Sequence, residues 1–476
     1  MDMMDLIIRN GTIIYHDKRV CGDIAVKDEK IVDVGYLGDM QAKKEIDAAG
    51  KIIVPGGIDT HTHHENPFMG VSGADNFYFG SIAAAHGGTT TMIDFSQTDK
   101  GRLPYEFVQG RIQQALDSGI VIDYSFHIVL KEVTDDNLAE VKRLVDSGLG
   151  SFKVFMIYPD EMLDDGALLA LLTEAAKHGG LVGVHAENAA IAAYNVKKAL
   201  AAGTMDWIDH ARTKPNIVEY EAVSRAYNLA KSVGAAMFIY HTSAGESAQI
   251  LMEAKAKGEP LYAETCAHYL TLSEDILLGE EGYLNLCSPP PRKKQDNDML
   301  WEAIRRKAIR CTGSDHSSFT RAEKELHMEK GPDGKWLRDF RIVANGNPGI
   351  EFQLPTLING VAEGKLSWEQ LVDAHSYGAA RIFGMYPQKG EILPGSDADI
   401  VIIDTEKTVT INSHEDLYSH CDYTPYVGLT YKGWPETTIS RGRIIFDKGE
   451  YIEAKGHGRF VQQMIDPQII RTSDWD

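Results

Sequence analysis

Residues 5 to 54 carry short apolar runs broken by turn residues. Leu6-Ile7-Ile8, Thr12-Ile13-Ile14-Tyr15, Asp23-Ile24-Ala25-Val26 and Lys30-Ile31-Val32-Asp33-Val34 read as strands. Asn10-Gly11, between the first two, reads as a hairpin turn. Past residue 56 the pattern changes. Strand-like runs near 57–61, 89–95, 120–130, 151–157, 181–185, 236–241, 259–265 and 308–314 alternate with helix-like segments such as 103–118, 136–148, 161–178, 216–232 and 245–257. Strands alternating with helices in this way predict parallel pairing and a closed (β/α)8 barrel. Strand character returns after residue 390 in Ile400-Val-Ile-Ile-Asp404 and continues to about 447.

The expected architecture is therefore α/β: a TIM barrel with a small β-sandwich domain built from both chain ends. Residues 1–55 and 389–450 form the two parts of the sandwich and 56–388 the barrel. Residues 451–476 read as a C-terminal tail, a candidate for a subunit interface. A length of 476 residues suits a large barrel with an addition.

Composition narrows the partners. At 43% hydrophobic and 25% charged the chain has the make-up of a soluble globular protein. The net charge of −21 weighs against nucleic acid and anionic membranes, which both need a basic face. No apolar run approaches the ~20 residues of a membrane helix. Five scattered cysteines without a CxxC pair suit a reducing compartment, and the N-terminus lacks a signal-peptide pattern, so a cytoplasmic protein is expected.

Candidate chemistry gathers at the C-terminal ends of the runs, where barrel enzymes keep their reacting groups. His61 and His63 end the first run, and their i, i+2 spacing in extended chain aims both imidazoles to one side. Lys153 lies in the fourth, His185 ends the fifth, His241 the sixth and Asp315 the eighth. A histidine closing an apolar strand is commonly a hydrogen-bonded core residue; the repeated placement is what points to a metal site. Lys153, between Phe152 and Val154, is costly to bury as an ammonium. Desolvation favours the neutral amine, which can add carbon dioxide and become an anionic bridge between two metals. The plainer alternative is an ion pair between Lys153 and a barrel carboxylate such as Asp94.

These residues resemble the dihydropyrimidinase and hydantoinase branch of the amidohydrolases over essentially the whole chain. The resemblance rests on Gly57-Ile-Asp-Thr-His-Thr-His63, Gly87-Gly-Thr-Thr90, Ser151-Phe-Lys-Val-Phe-Met156, Val184-His-Ala-Glu-Asn188, His241-Thr-Ser243, Glu264-Thr-Cys266, Cys287-Ser-Pro-Pro290, Ser314-Asp-His316 and Leu393-Pro-Gly-Ser-Asp-Ala-Asp399. It implies two zinc ions bridged by an N6-carboxylated Lys153. His61, His63 and Asp315 would serve one ion, His185 and His241 the other. It implies ring opening of a 5-substituted hydantoin or a dihydropyrimidine to the N-carbamoyl amino acid by a hydroxide between the metals. Asp315 would carry the proton and Tyr158 would donate to the oxyanion, although a rim aromatic is the plainer reading of Tyr158. Ser288 and Asn345 match positions that hold the cyclic ureide, largely through backbone groups. Phe155, with Pro67-Phe-Met69 and Ser96-Gln97-Thr98, would line the pocket for the ring substituent. A homotetramer is the implied assembly, with a dimer as the alternative.

Three positions depart from the resemblance. His64-Glu65 follows the His-x-His where an apolar or amide residue is expected, and Ser317 stands where relatives often have Cys. His64 reads as a rim histidine, with an adventitious metal ligand as the alternative; His86, His268 and His316 read as structural. The absence of an arginine after His63 weighs against dihydroorotate, while allantoin and other cyclic imides stay open. A non-catalytic scaffold with this fold is disfavoured because all six ligand positions hold competent residue types.

Overall fold

The computed structural model describes residues 3–475. Eight parallel strands follow one another in chain order: Gly57–Thr62, Thr89–Gln97, Asp123–Val129, Ser151–Phe155, Leu181–His185, Met237–Ile239, Leu261–Cys266 and Cys311–Gly313. The ring closes just beyond the eighth strand, where the Asp315 N–H donates to the His61 carbonyl at 2.9 Å and the His63 N–H to the His316 carbonyl at 3.0 Å. Closure thus falls on the residues proposed for metal binding.

Helices between the strands begin and end on local signals. Asp164 accepts from the Ala167 N–H and caps Asp165–His178, which stops at left-handed Gly179. Thr134 caps Asp135–Asp146 and Asn188 caps Ala189–Ala202 in the same way. Their buried faces pack on the strands around Val108, Val141, Leu144, Leu171 and Leu172 to form the main core. Among the described residues no helix is long and apolar enough to cross a membrane.

Both chain ends meet in one nine-stranded mixed sheet. Ile52–Pro55 pairs with Ile400–Thr410 antiparallel and with Met4–Ile14 parallel, so the last strand before the barrel joins the two ends. Leu6, Ile8, Ile24, Ile53, Ile400, Ile402 and Ile439 share the core of this domain. Asn10-Gly11, expected as a hairpin turn, lies inside the single strand Met4–Ile14. Residues on both sides pair with Arg19–Lys27 in one antiparallel ladder, with a bulge between Ile8 and Gly11. Asn10 takes φ 61° and its N–H donates to Asp23, while a Cβ at Gly11 would fall 2.2 Å from Ile53 Cδ1. The pair satisfies a bulge rather than a reversal.

A buried ionic cluster ties the sheet domain to the barrel. Lys389 Nζ reaches Asp123 at 2.5 Å, Asp399 at 2.7 Å and Asp397 at 2.9 Å, and Arg441 also pairs with Asp123. The final residues lace across the N-terminal end of the same barrel. Arg459 and Val461 bond Tyr124 through backbone groups, and the Gln463 N–H donates to the Gly148 carbonyl. Trp475 lies against Arg310, 3.8 Å from guanidinium carbon to ring centre.

Candidate metal centre and substrate pocket

All ten residues selected from the sequence line one cavity at the C-terminal end of the barrel. His61 Nε2, His63 Nε2 and Asp315 Oδ1 lie 3.1 Å from one another. Lone pairs at this separation repel unless a proton or a cation sits between them. His61 Nδ1 faces Glu264, which also accepts from Thr60 Oγ1 and from the His241 N–H. A carboxylate on Nδ1 fixes the proton there and leaves the Nε2 lone pair turned inward, as a metal-binding imidazole requires.

The second pair is built the other way round. His185 Nε2 is engaged by Glu187 Oε2 at 2.7 Å, leaving Nδ1 for the cavity. His241 Nδ1 is buried without a partner, and the two rings lie 4.4 Å apart. Burial keeps both imidazoles on the neutral side of the usual histidine range. Tyr158, His241 and Asp315 have φ of 71°, 38° and 49°. Such left-handed backbone at non-glycine residues is strained and gathers at functional sites.

Lys153 sits between the two groups, 1% exposed. Its Nζ lies 3.9 Å from the centre of the Tyr240 ring, 5.0 Å from Phe95 and 5.2 Å from Phe155. Asp94, the alternative partner, is occupied elsewhere by Thr62, His64, Asn66 and Arg111. No carboxylate pairs with Lys153 among the described residues. Burial pulls its amine down to about 8 despite the pull of Glu264 and Asp315 the other way. Four neutral or inward-turned imidazoles, one carboxylate and a desolvated amine are a donor set that fits two divalent ions. His61, His63 and Asp315 would hold one, His185 and His241 the other, and Lys153 as a carbamate would bridge them.

Phe155, Phe68, Phe319 and Tyr158 give the rest of the cavity an aromatic wall, with Gln97 and Glu161 on it. Ser288 and Asn345 face them, and the Asn345 Oδ1 is buried without a partner. Burial holds the Tyr158 hydroxyl far above its usual pKa, so it stays a proton donor. Ser317 also lines the cavity, where it touches the wall beside Phe319.

His64 is the main correction among the site-side residues. It is fully buried rather than on the rim: Nδ1 lies 3.1 Å from Asp94 and the ring stacks on Phe77. The first strand ends at Thr62, and the chain turns His64 outward between strand and helix, against the Cα of Gly80. His86 pairs with Glu351 and His316 with Asp75, both away from the ligand cluster, and burial lowers His268 to about 4. The sequence reading did not single out Glu264 or Glu187 for a role, nor did it find Glu161 or Lys214. Glu264 and Glu187 lay inside quoted motifs, but nothing in the local pattern marks a carboxylate that supports a histidine.

Comparison with known proteins agrees with this geometry. Residues 52–445 match the model of the amidohydrolase family. The chain is 41% identical to the D-hydantoinase of Ralstonia pickettii, over 97% of this chain and 99% of that one. It superposes on the dihydropyrimidinase of Brevibacillus agri with TM-score 0.91 at 38% identity, covering 97% and 99% of the two chains. The L-hydantoinase (dihydropyrimidinase) of Arthrobacter aurescens gives TM-score 0.87 at 30% identity, covering 97% and 100%. With barrel, ligand cluster and near full-length similarity in agreement, the chain belongs to the amidohydrolase family, in its hydantoinase and dihydropyrimidinase branch.

Proposed function

We propose that the protein opens the ring of a cyclic ureide, a 5-substituted hydantoin or a dihydropyrimidine, by hydrolysis to the N-carbamoyl amino acid. The observation that carries this reading is the buried, unpaired Lys153 between two converging histidine sets at the floor of an aromatic pocket. Its neutral amine adds carbon dioxide and releases one proton, giving the carbamate. Two zinc ions, once bound by these residues, would supply Lewis-acid polarisation of the ring carbonyl and a water of lowered pKa.

The chain's own groups do the rest. Ser288 and Asn345 hold the ureide against the ligand cluster, and Phe155, Phe68 and Phe319 take an apolar ring substituent. Tyr158 donates its hydroxyl to the carbonyl oxygen as negative charge develops there. Asp315, ionised beside His61 and His63, accepts the proton of the attacking water and returns it to the leaving ring nitrogen. Free cysteines, four of them buried, support a reducing, cytoplasmic setting. A homotetramer is the assembly this reading carries over from the family resemblance.

The test is a steady-state panel of dihydrouracil, 5-substituted hydantoins, allantoin and cyclic imides. Turnover of a hydantoin or dihydrouracil, abolished by chelation and restored by zinc, is expected. A zinc-replete protein that opens neither ring refutes the assignment.

A further inference from the structure

One stretch of the pocket mouth is neither aromatic nor a candidate ligand. The second, third and fourth barrel strands end there side by side. Gln97 closes Thr89–Gln97, Lys131 follows Asp123–Val129, and Glu161 lies in the turn after Ser151–Phe155. The chain reverses at Tyr158, whose carbonyl accepts from the Glu161 N–H at 2.9 Å and from the Met162 N–H at 2.8 Å. The reversal brings Met162 back beside Phe155, and the Leu163 N–H donates to the Phe155 carbonyl at 3.0 Å. Glu161 is thereby set on the cavity surface, next to the aromatic wall.

Lys131 Nζ holds Glu161 Oε1 at 2.8 Å, and the two side chains are only 18% and 22% exposed. Lys131 does not line the cavity, so a bound molecule meets the carboxylate of this pair and not the ammonium. A carboxylate offers roughly four lone-pair sites. Among the described residues no donor other than Lys131 engages the Glu161 side chain. A wholly apolar substituent that covers Glu161 strips water from a charge and returns nothing. A substituent that ends in a hydroxyl replaces that water with a charge-assisted hydrogen bond. A substituent that ends in a carboxylate is repelled.

We propose that Glu161 is a specificity-determining residue of the ring-opening reaction. It selects ureides whose ring substituent has an apolar body for the aromatic wall and a neutral hydrogen-bond donor at its end, and it rejects those that end in a carboxylate. Lys131 keeps the Glu161 carboxylate ionised and in place. The inference rests on the reaction proposed above and narrows its substrate class. An ion pair that merely pinned the reversal at Tyr158 would break in the same way whichever partner were removed, and it would not distinguish one substituent from another.

The test compares zinc-loaded wild type, Glu161→Leu, Glu161→Gln and Lys131→Met on matched hydantoins: 5-phenyl against 5-(4-hydroxyphenyl), and 5-benzyl against 5-(4-hydroxybenzyl). The second pair extends the reach of the first, and 5-(2-carboxyethyl)hydantoin supplies the anion. The readout is the ratio of kcat/KM within a pair, in which any general loss from folding or metal content cancels. The wild type should favour the hydroxyl about tenfold in at least one pair, the low end for a hydrogen bond to a charged group because Glu161 is partly exposed. Glu161→Leu should erase that preference, and it should raise the carboxyethyl substrate about tenfold relative to the benzyl one. Lys131→Met leaves the carboxylate in the cavity and should keep the preference. A wild type without preference in either pair, or a Glu161→Leu ratio equal to that of the wild type, overturns the proposal. So does a Lys131→Met variant that loses the preference as completely as Glu161→Leu, because that is the behaviour of a structural pair. If Glu161→Leu does not fold, Glu161→Gln decides: the carboxyethyl substrate must gain on the benzyl one, and no gain overturns the proposal. A wild type inactive on all these hydantoins and on dihydrouracil refutes the reaction itself, before any variant is compared.

Discussion

Lys153 gives the most searching prediction, because its chemistry depends on losing a proton before any metal arrives. Burial brings its amine to about 8. At pH 7 roughly one molecule in ten then carries the neutral amine, against roughly one in 2,500 for a lysine at 10.4. The buried site is thus enriched about 230-fold in the form that reacts with carbon dioxide. The sign follows: carbamate formation in metal-free protein rises with pH while the amine is still protonated, then levels above about 8. At fixed dissolved carbon dioxide the rate should climb about fivefold from pH 7 to 8 and less than twofold from 8 to 9. An ordinary lysine would gain about tenfold at each step. The assay is zinc reloading of chelator-stripped protein, following bound metal and the carbamate carbon by 13C NMR. Reloading should stall without carbon dioxide, and Lys153→Ala should hold neither the full metal complement nor activity. Full loading of two ions in carbon-dioxide-free buffer, or two ions retained by Lys153→Ala, would refute the bridging role.

Two further predictions concern buried lysines outside the reaction. Lys324 is fully buried, its ammonium bonding only the Leu286 carbonyl among the described residues, and burial lowers it to about 7. Its folded pKa lies below the unfolded value, so the cost of the buried charge is complete below pH 7 and fades as pH rises toward 10.5. The shift corresponds to about 5 kcal/mol. Lys324→Met should therefore raise the unfolding temperature at pH 6 more than at pH 9, and a pH-independent difference would contradict the argument. Lys389 is the opposite case: burial opposes its charge, but Asp399, Asp123 and Asp397 outweigh that and hold its pKa well above the usual range. Lys389→Met removes the cation shared by three carboxylates, leaving Asp123 to Arg441 and Asp397 to Lys30, and should cost ~3–5 kcal/mol, read as a lower urea midpoint that recovers partly in acid; an unchanged midpoint would show that the cluster relaxes freely.

The residues proposed to do the chemistry were legible because strand ends are local events. An apolar run of period two announces a strand, and its last polar residues must face the barrel mouth; this placed His61, His63, His185, His241 and Asp315 together before any coordinates. Lys153 was legible for the same reason, as a charge inside an apolar run. The partners of these residues were not. Glu264 lies 203 residues from His61, and Lys214 lies 74 from Ser288. No local periodicity encodes a contact at that separation.

His64 shows the limit from the other side. Its neighbours in sequence suggested the rim, yet the end of the strand at Thr62 turned it into the layer between sheet and helix, where Asp94 receives it. Asn10-Gly11 likewise permits both a reversal and a bulge, and the choice fell to the strand partner Arg19–Lys27 and to Ile53. A polar chain from Gln463 through Ser151 and His127 to the Thr60 carbonyl, linking the C-terminal segment to the barrel core, was visible only after folding. The sequence by itself determined the alternation of elements, the closed barrel and the candidate ligating groups, because each follows from burial patterns a few residues long. Only the tertiary structure decided which lone pair each imidazole presents, which carboxylates support them and which way the hydroxyls point. Those choices depend on donors and acceptors brought together across the barrel, and proton placement is settled by the partner that is there.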